Sequence, residues 1–305
     1  MKIVKIKGGL GNQMFQYSFA ILLKEMTDEN VKIDMTDFDN CINDEIRKPR
    51  LLKYNISLPI ASPEEIKKIR KFQIKNNPLK YIDKSKIVFE CLLNHNYFWE
   101  VNRKFRQPKK LLHYSYFDGY WQSWRYVDSI RNQLVTEFTP NYQLHTKTLC
   151  LQEKMKTENS VFIGVRRGDY ELDKKHFGVF DGSYYNTAIK VIMKAVTNPV
   201  FYIFSNDVNW CKNNLNFEEC NVNYREKENI IDDFEELQLM ISCKHAIIGN
   251  STFHWWGAWL ISNPQKIIVA PKNWFFDDKP IDIVQPNWIK LEKIGESDDY
   301  REKKI

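Results

Sequence analysis

Four short segments of this 305-residue chain hold most of the groups that could do chemistry, and each stands where an apolar run gives way to small or polar residues. The first is GGLGNQ at 8–13. Gly9 and Gly11 let a backbone approach a ligand closely, and a helix starting there points its free N–H groups at it. The segment fails the dinucleotide fingerprint, since Met14 falls at the third glycine position, and it lacks the lysine of a P-loop. Alone it is equally a tight turn.

The second is VFIGVRRGDY at 161–170, with two arginines and an aspartate directly after an apolar run. Neighbouring side chains on an extended chain point opposite ways, so Arg166 and Arg167 have different tasks. One can fork onto a phosphate while the other pairs with Asp169; a surface ion pair is the plainer alternative. The third, FSND at 204–207, ends on Asp207. Its carboxylate can read the N1 and exocyclic amine of guanine, or simply cap a helix beginning at Val208. The fourth, IIGNSTFHWWGAWL at 247–260, offers Asn250, Ser251 and Thr252 at a helix start, where the dipole favours an anion. Trp255, Trp256 and Trp259 read as packing, because aromatics at helical spacing usually face a core. None of the four segments contains a DxD pair, and the set suits a nucleoside diphosphate held without a metal ion.

The elements that must position these groups follow from periodicity. Residues 2–6 read as a strand, 13–24 as a helix and 31–34 as a second strand. A long Lys- and Asn-rich stretch follows from 37 to 110, in which PEEIKKIRKF starts a helix at Pro63. Residues 111–122 read as a strand and 124–138 as a helix, and the polar run 152–159 reads as a linker. Beyond it, apolar runs at 161–165, 200–204, 246–249 and 266–270 suit parallel strands buried on both faces. Helices fall between them; Tyr185, Ala188, Ile189, Ile192, Met193 and Val196 form one stripe, and 232–243 and 253–261 supply two more. This is a doubly wound α/β pattern, whose ligands lie at the carboxyl ends of the strands.

Composition removes whole classes of function. With 43% hydrophobic and 28% charged residues the chain is neither disordered nor fibrous. Its length favours two lobes. A net charge of +6 suits an anionic ligand or an acidic membrane face and is too mild to indicate nucleic acid. Six scattered cysteines without a CxxC pair point to a reducing cytoplasm, and neither a signal peptide nor a membrane-spanning run is expected. The six histidines lack the i, i+4 spacing of a helical metal site, so no structural metal is expected.

GGLGNQMFQY, RRGDY after a strand, FSNDVNWCKNNL, and NSTFHWWGAWL followed by APKNWF stand in this order and resemble glycosyltransferase family 11, the α-1,2-fucosyltransferases, in its bacterial form. The resemblance runs from Gly8 to about Trp288 and is weak only from 37 to 110. It implies a GT-B type α/β fold, two Rossmann-like domains facing across a cleft, with 1–155 on the acceptor side and 156–305 binding the GDP-sugar. It implies inverting transfer of L-fucose from GDP-β-L-fucose to the 2-hydroxyl of a terminal β-galactoside, without a metal or other cofactor. Partners would be GDP-fucose and a galactoside acceptor, lipid-linked at the inner membrane leaflet, in surface polysaccharide synthesis.

Carried over by position, Arg166 resembles the diphosphate-binding arginine, with Arg167 and Asp169 completing the HxRRxD motif. Asp207 falls where a guanine-reading carboxylate is expected. Asn250, Ser251, Thr252 and Phe253 fall on the phosphate side, and Asn12 in the loop facing the transferred sugar. Two departures stand out. The motif histidine is Gly164 here, and the usual serine after the aromatic of NSTF is His254. Glu236 stands where the family more usually has Asp. The base for the 2-hydroxyl stays open among Asp169, Glu236 and His254. Gly164 also keeps a catalytically silent nucleotide- or glycan-binding module in play, and another GDP-sugar such as GDP-mannose would fit the same cradle.

Overall fold

The computed structural model describes residues 1–39, 48–70, 95–168, 178, 180–225, 232–275 and 281–292. The chain divides into two compact units, Met1–Tyr142 with Ile281–Ile283, and Gln143–Pro280 with Val284–Ile305.

In the first unit, β1 (Lys2–Lys5) leads through the glycine turn into α1 (Leu10–Glu25) and returns to β2 (Val31–Asp34). Then come α2 (Pro63–Ile69), β3 (Tyr97–Trp99), β4 (Tyr116–Asp118), α3 (Trp124–Val127) and α4 (Arg131–Glu137). The sheet is parallel throughout with the order β2-β1-β4-β3. Pro63 opens α2 as expected, and a capping box joins Ser62 and Glu65 across its first turn. Two expectations change. The strand read over 111–122 shrinks to Tyr116–Asp118 behind a 3-10 turn at Pro108–Leu111, because its aromatic run fills the core instead of extending the ladder. The helix read over 124–138 is two short helices joined by a 3-10 turn at Asp128–Ile130.

The second unit begins with α5 (Thr146–Thr157) and β5 (Ser160–Val165). It continues with α6 (Gly182–Ala195), β6 (Val200–Ser205), α7 (Val208–Asn214), β7 (Asn221–Tyr224) and α8 (Asp233–Ser242). It closes with β8 (His245–Ile248), α9 (Thr252–Leu260), β9 (Ile268–Pro271) and β10 (Ile289–Leu291). All six strands are parallel, in the order β10-β9-β8-β5-β6-β7. The polar residues read as a linker lie mostly inside α5, a surface helix on which only Thr148 and Met155 are buried. So little of it is apolar that its composition matches a loop. The predicted stripe on α6 is real: Tyr185, Ala188, Ile189, Ile192 and Val196 pack into the core against β5, β6 and β8.

The second sheet reverses its winding once, between β5 and β8. In parallel α/β sheets the crevice beyond the carboxyl ends at such a point is the natural ligand site.

Candidate active site

In the second unit the reversal brings three of the sequence segments together. Gly164 on β5 lies beside Ile248 on β8, and the Gly249 N–H donates to the Gly164 carbonyl at 3.3 Å. The strand ends are pinned from α6: the Tyr184 hydroxyl donates to the Ile248 carbonyl at 2.7 Å, and Tyr185 lies 3.4 Å from the Gly164 carbonyl. Both phenols are buried, which raises their pKa and keeps them neutral donors.

Arg167 lies over the Trp210 ring, 4.2 Å from its centroid, and pairs with Asp207 at 3.4 Å, an ion-pair distance beyond a good hydrogen bond. Asp207 in turn caps α7, accepting from the Trp210 N–H at 3.0 Å. The capping alternative for Asp207 is therefore present, while Oδ2 faces Arg167. Asn206 closes the β5 loop, accepting from the Arg167 N–H at 2.9 Å and donating to its carbonyl at 3.2 Å. Gly168 next to it has φ +60, where any Cβ would lie 2.9 Å from the Asn206 amide. Asp169 lies outside the described residues.

Across the reversal, α9 starts with Ser251 at its N-cap position, yet the hydroxyl makes no capping bond and the first turn carries no acidic residue. Asn250 and Ser251 are buried, Thr252 and Phe253 half-buried. The positive end of this helix stands beside the β5 end that carries Arg166. His254 sits in the first turn, 5% exposed. Burial, helped by the Arg166 charge, lowers its pKa to about 3, so the ring is neutral. Trp255, Trp256 and Trp259 are core, as their spacing indicates. Glu236 on α8 is tied to Arg225, whose Nη2 donates to it at 2.7 Å; burial raises its pKa against that pairing.

The first unit has its own strand-end cluster. Gly8 adopts φ +76 and Gly9 is the N-cap of α1. Gln13 fastens the turn, donating to the Gly8 and Lys48 carbonyls at 2.8 Å and accepting from the Leu51 N–H at 3.0 Å. Asn12 projects from the first turn and its Oδ1 accepts from Gln122 at 2.8 Å. Lys7 pairs with buried Asp118, which also accepts from Tyr97 at 2.9 Å; Lys7 is chief among the partners that hold this carboxylate ionised against burial. Glu100 receives the Tyr120 and Trp121 N–H groups at 2.7 and 3.2 Å, and burial raises its pKa. Trp121 itself has φ 54, a strained conformation for a bulky residue, held by stacking on Phe19 at 3.8 Å.

Sequence reasoning passed over Lys7, Glu100, Asp118, Gln122, Asn206 and Arg225. For Asp118 and Gln122 the signal was positional: DGYWQ at 118–122 stands at the end of β4, beside β1, which GGLGN follows.

The profile of Glycosyl transferase family 11 matches residues 1–292. The O-antigen biosynthesis glycosyltransferase WbnK of Escherichia coli is 31% identical, across 94% of this chain and 99% of that protein. An alpha-1,2-colitosyltransferase of Escherichia coli is 29% identical, across 95% and 99%. Human galactoside alpha-(1,2)-fucosyltransferase 1 is 24% identical, over 83% of this chain and 63% of its own length. Among solved structures, NodZ alpha-1,6-fucosyltransferase co-crystallised with GDP superposes with a TM-score of 0.52 at 12% identity, covering 88% of this chain and 93% of that one. The two parallel α/β units share the GT-B type of fold with it. From its first strand to its last, the chain belongs to glycosyl transferase family 11.

Proposed function

We propose that the protein transfers L-fucose from GDP-β-L-fucose to the 2-hydroxyl of a galactosyl residue, with inversion, in the synthesis of an O-antigen or similar surface polysaccharide. One arrangement carries this reading: Arg166, Asn206 and Asp207, and the uncapped start of α9 stand on adjacent strand ends of the second unit. A nucleoside diphosphate matches that set. Arg166 would fork onto the diphosphate, the Ser251 to Phe253 segment would donate to it, and Asp207 would read the guanine. In a direct displacement the bond from the anomeric carbon to the diphosphate breaks, its electron pair leaving with GDP, as the acceptor oxygen bonds to that carbon and gives up its proton to a base. The fixed donors stabilise the leaving GDP, an effect worth about 3 kcal/mol for a single well-placed group. The first unit, with Asn12 held by Gln122, is assigned to the acceptor side.

The WbnK and galactoside fucosyltransferase relatives support the sugar-transfer reading, and the colitosyltransferase favours a second donor, GDP-colitose, in the same cradle. A panel of GDP-fucose, GDP-colitose and GDP-mannose with galactoside acceptors, read by mass and linkage analysis, separates them. An α-1,2-fucosylated galactoside is the expected product. Arg166→Ala should abolish its formation while leaving the circular dichroism spectrum unchanged; near-normal turnover by that variant would sink the proposal.

Among the described residues no helix is long and apolar enough to cross a membrane. We place the enzyme in the cytoplasm, touching the inner leaflet where a lipid-linked acceptor would lie. The run from Arg103 to Lys110 carries five cations and no acid, each worth about 1 kcal/mol near an anionic surface when well placed. Flotation with anionic vesicles at low salt tests this, and absence of binding there counts against it.

A further inference from the structure

Three carboxylates stand at the carboxyl ends of strands in the first unit, and two of them are fully occupied. Asp34, at the end of β2, accepts from Tyr116 on one oxygen and from the Thr36 N–H and hydroxyl, at 2.9 and 2.7 Å, on the other. Asp118, at the end of β4, is held between Lys7 and Tyr97. Glu100, directly after β3, is held differently. Its Oε2 receives the successive Tyr120 and Trp121 N–H groups, while its Oε1 accepts no hydrogen bond among the described residues and is not shut off from solvent.

The backbone is shaped around that one oxygen. Two consecutive N–H groups converge on it across a turn in which Trp121 takes φ 54, and such a turn makes a concavity for an anion. Gly119 leaves the room: a Cβ there would lie 2.7 Å from Cβ and 2.9 Å from Oε2 of Glu100. The Glu100 N–H donates to the Asp118 carbonyl at 2.9 Å, so main chain and side chain are both fixed. A strained residue and a missing side chain leave one carboxylate oxygen held and the other free.

We propose that Glu100 is the catalytic base: Oε1 takes the hydrogen bond of the acceptor hydroxyl and then its proton. As that O–H bond breaks, the electron pair of the acceptor oxygen forms the bond to the anomeric carbon, and the pair of the carbon–diphosphate bond leaves with GDP. Two candidates in the second unit are poorly suited. Glu236 carries both Nε and Nη2 of Arg225 on one oxygen, and His254 is a buried ring whose pKa of about 3 makes it a weak base. Burial raises the pKa of Glu100, against the charges of Arg103 and Lys7; Asp118, Tyr120 and Tyr126 are the other titratable groups around it.

The proposal rests on fucosyl transfer with the first unit on the acceptor side. Glu100→Gln separates a base from a mere latch, because the amide oxygen still accepts both N–H groups but the side chain no longer takes a proton. With GDP-fucose and a galactoside, kcat should fall about 10²- to 10⁴-fold in E100Q, the contribution of a positioned base, with melting temperature and GDP affinity unchanged. The wild type reports independently of any variant. Its kcat should decline on the acid side with a midpoint above the usual glutamate value, and that limb should vanish from the residual activity of E100Q. A loss below about tenfold in E100Q, or a wild-type profile without the raised limb, overturns the proposal and leaves Glu100 as a latch for its turn. Wild-type protein that transfers no sugar from any GDP-sugar removes the proposed function and this base together, whereas equal transfer by wild type and E100Q removes the base alone.

Discussion

A buried neutral histidine leaves a signature in stability that can be read without any substrate. His254 has a folded pKa of about 3 against about 6.5 unfolded, so between those values the unfolded chain binds more protons. Its contribution is complete above pH 6.5 and is lost as pH falls towards 3, amounting to about 2 kcal/mol already at pH 5. Urea denaturation at pH 8 and pH 5 should therefore show wild type losing about 2 kcal/mol more than His254→Gln over that interval; parallel losses would place the ring in water. Asp207 offers a second separation at the same scale, because its two oxygens serve different ends. Asn caps helices about as well as Asp, so Asp207→Asn should keep stability within about 1 kcal/mol. It should still cut GDP affinity tenfold or more if the carboxylate reads guanine. Calorimetry showing unchanged GDP binding would leave Asp207 as a cap and a partner for Arg167. Neither outcome was visible beforehand, since the FSND motif fits both roles equally.

Elements were legible in proportion to how completely they are buried. The strands β5, β6, β8 and β9 are almost wholly apolar and appear within two residues of where the apolar runs predict them. The helix α6 likewise follows its stripe. By contrast β3 and β10 are three residues each, too short for any alternation, and β7 is a polar edge strand whose ladder is set by its neighbour β6. The helix α5 exposes nearly all its length and so resembled a linker. Turn chemistry was clearer. Gly8 at φ +76 is where the chain leaves β1 for α1, and a Cβ there would lie 3.1 Å from the Asn12 amide nitrogen. Gly8→Ala should cost about 1–2 kcal/mol for the left-handed backbone and displace Asn12 from Gln122 as well. Transfer activity should fall further than the small loss of stability explains, measured as kcat at saturating donor well below the melting point. A variant with the expected loss in melting temperature and unaltered kcat would remove Asn12 from any part in the reaction.

For the whole molecule, the division into two units sets where a ligand's effects should appear. The segments around Arg166, Asn206 and Ser251 all belong to the unit Gln143–Pro280, whereas the glycine turn, Glu100 and Asp118 belong to Met1–Tyr142. Site residues are drawn from loops at strand ends, the parts of an α/β unit with least intrinsic protection, so bound nucleotide changes them most. A ligand held at one hundred times its dissociation constant adds about 2.7 kcal/mol to the state that binds it. If the second unit alone holds the nucleotide, GDP at that concentration should slow amide exchange at 164–168, 204–207 and 249–254 and leave 8–13 and 118–122 essentially as they were. Protection spread equally over both groups of segments would mean that unit 1 also takes part in holding the nucleotide, and the assignment of the GDP site to the second unit would fall. The net charge of +6 has little to add, because affinity at such a site depends on where Arg166 is held rather than on the total.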